Sequence, residues 1–251
     1  MKKTIASLPM YLTPETAGDH RLFWSQIRDC LADVDVEAPE TLSDREFDTL
    51  TPALDALFFT QICGMPFRMG LHERVTLIAT PDYGVAGCPP GYYRSAMVVQ
   101  ACDHRQNFDD FDGAVLAYNS ERSQSGFSSP LSLASDRGIR FRRLLPTGSH
   151  LRSARMVASG IADIAAIDAV SLDCMTVIRK EGFSKDLRII DWTEPVPGLP
   201  FVTGASVDPA PLRRAVRQAI ARLPASTRCR LRLYGIVDIP ASAYFDVRDP
   251  A

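Results

Sequence analysis

The sequence predicts an α/β protein built as two lobes with a ligand cleft between them. Three observations lead there. Short strand-like runs alternate with helix-like runs, as in a mostly parallel sheet flanked by helices. Two breaker clusters, Pro81 through Gly91 and Glu194 through Pro200, are rich in Gly and Pro and offer places for the chain to cross between lobes. Two Ser/Thr-rich turns each stand directly before a helix-like run, between Tyr118 and Asp168. With crossings at the breaker clusters, residues 1–90 and 196–251 form lobe one and the inserted residues 91–195 form lobe two. A cleft between lobes is a common ligand site, and two crossings make a natural hinge.

The elements follow in order. Strands are expected at Ile5–Met10, Ala56–Thr60, Val75–Ala79, Ala96–Ala101, Ala114–Tyr118, Phe141–Leu145, Ile164–Ile167, Leu187–Ile190 and Phe201–Thr203. Helices are expected at Pro14–Ala32, Phe127–Ser135, His150–Ser159, Val170–Lys180 and Pro209–Leu223. In the first helix Leu22, Phe23, Ile27 and Leu31 read as a core-facing stripe. The last helix opens with Asp208 as N-cap and a proline in its first turn. It then puts Leu212, Val216, Ala219, Ile220 and Leu223 on one side. No internal repeat, low-complexity tract or long charge run interrupts the pattern.

Composition removes several function classes. With 46% hydrophobic and 23% charged residues the chain is ordinary globular protein. A net charge of -2 supplies no basic field for nucleic acid or an acidic membrane surface. No apolar run approaches the roughly 20 residues that span a bilayer. Met1-Lys2-Lys3 resembles the charged start of an export signal, but Thr4 through Tyr11 is too short for its apolar region. The chain as written is therefore expected in the cytoplasm, the alternative being the periplasm if the start is truncated.

Six cysteines are widely spaced, without a CxxC pair or zinc-like cluster, so buried free thiols are expected and no metal or cofactor is called for. Cys63 and Cys88 each sit beside a glycine in loops that could converge, which leaves a disulfide open.

The two turns carry the chemistry. The first is Asn119-Ser120-Glu121-Arg122-Ser123-Gln124-Ser125-Gly126 and the second Thr147-Gly148-Ser149-His150. A helix N-terminus presents N–H donors and partial positive charge, and hydroxyls there add donors that can wrap a tetrahedral oxyanion. With Arg122 and His150 beside them, the two turns point to a pocket for a phosphate-like group. Alternatively Ser120, Ser123 and Ser149 cap their helices, as such residues commonly do.

Further candidates come from strand ends. Tyr11 follows the first strand and either meets a ligand or packs as a half-buried tyrosine. Thr60 and Gln61 end the second strand and either face the ligand or cap the next segment. Tyr83 lies in the first breaker cluster with Tyr92 and Tyr93 nearby. Asp168 ends an apolar strand, as a cap for the next helix or as a partner for a ligand amine; ligands bind at such C-terminal strand ends.

The chain resembles the phosphate/phosphonate-type substrate-binding proteins of ABC transporters. The resemblance rests on Tyr118-Asn119-Ser120 through Ser125-Gly126, on Thr147-Gly148-Ser149-His150, on Gly160-Ile161-Ala162-Asp163-Ile164-Ala165-Ala166-Ile167-Asp168, and on Pro197-Gly198-Leu199-Pro200-Phe201-Val202-Thr203. It implies a type II periplasmic-binding-protein fold, a two-lobed Venus flytrap. In that family the Ser/Thr loop and the Gly-Ser-His turn hold the phosphonate oxygens and aromatics from the first lobe close over the ligand. The family loop commonly reads Ser-x-Ser-Thr-Ser-Gly; here Glu121, Arg122 and Gln124 depart from it, and the Arg122 fork suits carboxylate or phosphate.

The expected function is thus solute binding of a small anion, with an ABC permease as partner and no nucleic acid. An enzyme on the same bilobal fold, like the menaquinone-pathway chorismate dehydratases, is the alternative, as is a ligand sensor like the LysR-type effector domains. No G-x-S-x-G elbow, P-loop or H-E-x-x-H supports catalysis.

Overall fold

The structure, a computed structural model, describes residues 4–43, 51–175 and 185–249. Its strands are β1 (Ile5–Ala6), β2 (Leu57–Gln61), β3 (Val75–Asp82), β4 (Tyr92–Tyr93), β5 (Ser95–Gln100), β6 (Val115–Tyr118), β7 (Arg143–Pro146), β8 (Ile164–Asp168), β9 (Leu187–Trp192), β10 (Val196–Pro197), β11 (Phe201–Gly204) and β12 (Gly235–Val237). Its α-helices are α1 (Ala17–Ala32), α2 (Gly64–Arg68), α3 (Ser129–Asp136), α4 (His150–Ala158), α5 (Ala169–Asp173), α6 (Pro209–Arg222), α7 (Ala225–Leu231) and α8 (Ala241–Phe245). The chain divides into two compact units. Unit 1 comprises residues 1–86, 90–92 and 197–245, and unit 2 comprises 87–89, 93–196 and 246–251.

Unit 1 is a five-stranded sheet in the order β1-β2-β11-β3-β12. β1 runs parallel to β2, whereas β11 and β12 run antiparallel to β3. All of β2, Leu-Phe-Phe-Thr-Gln, is buried, as a central strand covered on both faces must be. On one face Phe59 stacks on Trp24 of α1 at 5.6 Å and meets Phe201 at 5.1 Å. On the other, Leu57, Val75 and Val202 join Phe67 and Tyr244 from α2 and α8. Gly198 permits a close approach: its N–H donates to the Gly91 carbonyl at 2.8 Å, and a Cβ there would sit 2.7 Å from that oxygen.

Unit 2 is a second five-stranded sheet, β7-β6-β8-β5-β9. β6 is parallel to β7 and β8, and β5 is antiparallel to β8 and β9. One face buries Val98, Ala117, Ala165 and Ile167 under Ala154 and Val157 of α4. The opposite face buries Val99, Leu116 and Ala166 with Phe108, Phe111 and Ala134.

Four expectations need correction. Both sheets are mixed rather than mostly parallel. β11 lies antiparallel between β2 and β3, and β5 antiparallel between β8 and β9; none of these pairs is consecutive in the chain, so none is joined by the single-helix crossover that makes neighbours parallel. The first strand stops at Ala6 instead of reaching Met10, because Pro9 lacks a ladder donor and Tyr11 turns the chain at φ 60°. Leu22 is 36% exposed and lies off the buried stripe of α1, which is Phe23, Trp24, Ile27, Cys30 and Leu31. The helix expected from Phe127 begins earlier, as a π-turn at Gln124–Ser128 that runs into α3. Pro130 has no N–H to offer the Gly126 carbonyl, and the wider turn upstream relieves the crowding its ring would cause.

The strand expected from Phe141 begins at Arg143, where Val115 of β6 takes up its register. Of the helix expected over Val170–Lys180, the start is α5, and residues 176–180 lie outside the described residues, as does the Met1-Lys2-Lys3 start. β4, β10, β12, α2, α7 and α8 were not expected from the sequence. None of the six cysteines is in a disulfide, so no bridge joins Cys63 to Cys88. Among the described residues no helix is long and apolar enough to cross a membrane.

Candidate anion site in unit 2

The two Ser/Thr turns converge. The Tyr118 carbonyl at the end of β6 accepts from the Thr147 N–H at 2.8 Å and from its hydroxyl at 3.0 Å, and the Asn119 carbonyl accepts from the Gly148 N–H at 3.1 Å. Thr147 Oγ1 also lies 2.7 Å from Ser153 Oγ inside α4. These bonds fix the start of α4 against the first turn.

Ser123 opens the π-turn as a cap: its Oγ accepts from the Gly126 N–H at 3.0 Å, and its carbonyl takes the N–H groups of Phe127 and Ser128. An oxygen used as acceptor keeps its hydrogen to donate. Ser125 Oγ lies 3.5 Å from Ser123 Oγ and 3.0 Å from His150 Nε2. Its own carbonyl accepts from Ser95 Oγ of β5 at 2.9 Å, which anchors the turn to the sheet.

His150, the first residue of α4, stands over the C-terminal end of β8. Its Nδ1 is 3.2 Å from the Ala166 carbonyl and its Nε2 is 3.2 Å from Asp168 Oδ2. Asp168 is 2% exposed, and its other oxygen caps α5 by accepting from the Ser171 N–H at 2.9 Å. Burial pushes the His150 ring below the usual histidine range, against the pull of the Asp168 carboxylate and the Ala166 carbonyl, which favour the charged form. A glycine is required beside them. A Cβ on Gly126 would fall on Asn119 Oδ1 and lie 3.1 Å from His150 Cε1.

Ser123, Ser125, His150 and Asp168 therefore form one cluster. Ser120 is exposed and accepts from the Arg122 N–H at 3.2 Å, and Arg122 is exposed too. Ser149 caps α4 by accepting from the Arg152 N–H at 3.2 Å. Gln124 turns inward, donating to Ser128 and Ser129 hydroxyls at 3.2 and 3.1 Å. Sequence reasoning did not single out Asn119, Ser95 and Ser153. Asn119 Oδ1 is buried without a partner among the described residues. Its place inside the Ser-rich turn was the available signal.

The other four candidates lie in unit 1. Tyr11 meets Tyr83 edge-on at 5.2 Å, and Gln61 Nε2 donates to Tyr83 Oη at 2.8 Å and to the Leu199 carbonyl at 3.0 Å. Thr60 is fully buried, and its hydroxyl has no partner among the described residues. The positive φ of Tyr11 is uncommon for a bulky residue. Thr16 Oγ1 supports it by donating to the Tyr11 carbonyl at 3.2 Å.

The cluster is not a nucleophile triad. A triad puts the carboxylate on one ring nitrogen and the hydroxyl on the other. Here both face Nε2, and Nδ1 is taken by a carbonyl. Among the described residues no group of His, Cys, Asp and Glu could hold a metal ion.

Unit 2 thus gathers hydroxyls and an imidazole at the ends of its strands. The family model for the periplasmic phosphonate substrate-binding protein of ABC transporters matches residues 61–236, and the chain belongs to that family. Solved structures of the same fold include XAC2383 from Xanthomonas citri bound to ATP, with 16% identity, a TM-score of 0.73 and 99% of each chain covered. PhnD1 from Prochlorococcus marinus in complex with methylphosphonate has 16% identity and a TM-score of 0.73, covering 96% of this chain and 94% of that one. A binding protein component of an ABC phosphonate transporter from Pseudomonas aeruginosa has 13% identity and a TM-score of 0.66, covering 94% of this chain and 81% of that one. A search of curated protein sequences gives no match. The fold is that of two-lobed periplasmic binding proteins. The family is a binding component of transporters and works in the periplasm; it is not a family of enzymes.

Proposed function

We propose that the protein binds a small molecule by a phosphonate, phosphate or comparable anionic group seated on Ser123, Ser125 and His150, for delivery to an ABC permease. Ser120, Arg122, Ser149 and Asp168 border that seat. The observation that carries this reading is the convergence of two buried hydroxyls and a part-buried imidazole within 3.5 Å steps of one another, packed around a glycine that admits no side chain. Hydroxyls and an imidazole supply directed donors to a tetrahedral anion without a permanent charge, and such donors hold it firmly once water is excluded.

Isothermal titration of the purified protein with methylphosphonate, inorganic phosphate and acetate tests the reading. Saturable, stoichiometric uptake of a phosphorus oxyanion, without product, is expected, and Ser125→Ala is expected to weaken it. Failure of all phosphorus anions to bind, or equal binding by the Ser125→Ala variant, refutes it. Turnover of the ligand by pure protein would replace it with the enzyme alternative. Fractionation of cells carrying the native gene distinguishes the family's periplasmic location from the cytoplasmic one expected from the N-terminal residues.

A further inference from the structure

The His150 ring has one nitrogen whose state is set by its neighbour and one whose state is open. Nδ1 faces the Ala166 carbonyl at 3.2 Å, an acceptor only, so Nδ1 carries a hydrogen. Nε2 faces two groups of different capacity. Ser125 Oγ, at 3.0 Å, can donate or accept, whereas an ionised Asp168 Oδ2, at 3.2 Å, can only accept.

In the neutral ring Nε2 is a bare lone pair. It draws the Ser125 hydrogen toward itself and stands against the carboxylate with no proton between them. In the charged ring Nε2 donates to Asp168 and no longer needs the Ser125 hydrogen. That hydrogen is then free to turn toward a ligand. Ring protonation and the direction of the Ser125 O–H are therefore one switch. A negative group arriving at Ser125 claims the hydrogen and adds negative charge beside the ring, and both effects favour the charged state.

We infer that His150 takes up one proton from solvent when an anion docks on Ser125, so that the site admits its ligand together with a proton. This rests on the proposed anion seat. The proton comes from water or buffer and ends on Nε2; the Ser125 hydrogen leaves Nε2 for the anion, and no other bond changes. Asp168 of β8 is the charged group against the ring. The π-turn contributes Ser125 and Gly126, β6 ends in Tyr118, whose hydroxyl donates to Glu121 Oε1 at 3.2 Å, and Arg152 follows on the same helix. Burial favours the neutral ring, which leaves a proton to be gained.

Ring nitrogen NMR on uniformly 15N-labelled wild-type protein at pH 7.5 tests this, with His150→Gln used only to assign the resonances. The free protein is expected to show a protonated Nδ1 and a bare Nε2. Saturation with methylphosphonate is expected to move Nε2 to the shift of a protonated nitrogen, while the 31P shift accounts for the ligand's own proton. Affinity is expected to fall up to tenfold per pH unit between the free and bound ionisations of the ring. If methylphosphonate perturbs the rest of the spectrum but the ring stays neutral, or the ring is charged before ligand is added, the inference fails and the anion seat stands. If neither methylphosphonate nor inorganic phosphate perturbs the spectrum, the seat itself fails and the inference with it.

Discussion

Replacing Gly126 with alanine tests the geometry of the seat more directly than removing a donor. The added methyl falls on Asn119 Oδ1 and comes within 3.1 Å of His150 Cε1. Asn119 follows the last residue of β6, and its carbonyl is bonded to Gly148, so its backbone is held. His150 is pinned through Nδ1 to the Ala166 carbonyl. The Asn119 side chain, whose buried Oδ1 has no partner among the described residues, must rotate away, and His150 can move only by breaking its Nδ1 bond, which places the cost in the range of overpacking, about 1–3 kcal/mol. For a chain of this length that corresponds to a fall of about 2–4 °C in Tm per kcal/mol. Binding is expected to suffer more than stability, because the displaced ring is itself part of the seat. Asn119→Ala added to Gly126→Ala removes the worst overlap and is expected to restore most of the lost Tm, a non-additivity that marks direct contact. Differential scanning calorimetry and titration with methylphosphonate on the three variants decide the matter. A Gly126→Ala protein that melts and binds like wild type refutes the packing argument.

Ser125→Ala is expected to weaken phosphonate binding by about 1–3 kcal/mol, the loss of a donor to a charged acceptor, with little change in Tm. Ser123→Ala removes the cap on the Gly126 N–H as well and is expected to lower stability by about 0.5–2 kcal/mol; titration and melting of each variant separate the two effects. Gly198→Ala, which would set a Cβ 2.7 Å from the Gly91 carbonyl, is expected to destabilise by about 1–3 kcal/mol even without ligand, as read by thermal melting. Burial holds His20 and His150 below the usual histidine range in the folded chain. The unfolded chain then binds more protons as the pH falls below about 6.5, so stability is expected to drop from pH 7.5 to 5.5. His20→Gln is expected to flatten that slope, and a wild-type Tm that rises on acidification contradicts the assignment.

The buried strands were legible because they are short, fully apolar runs between breakers, as in Leu57–Phe59 and Ile164–Ile167. Helix α6 was legible because Asp208 and Pro209 announce its start, and Asp208 does cap the Ala210 N–H. Pairing direction was not legible, since it depends on which strand arrives beside which. The segment after Pro224 was missed for a local reason. α7 ends at Arg232 in the left-handed conformation, where a glycine would have signalled the stop. In the candidate site the sequence displayed both turns, but a serine before a helix reads the same whether it caps or donates. Only coordinates separate Ser149, whose oxygen serves Arg152, from Ser125, whose oxygen meets an imidazole.

The π-turn ahead of α3 has a consequence for how this loop can change. Ser123 gathers the N–H groups of Phe127 and Ser128 onto one carbonyl, so the helix is registered from that point onward. Residues 119–122 lie upstream of the clamp, and the core contacts of α3, Pro130 and Ala134 among them, lie downstream. The exposed start of the turn and the packing of the helix are thereby decoupled along the chain. Ser120, Glu121 and Arg122, exposed and upstream of the clamp, can change in charge and shape while the sheet beneath keeps its packing.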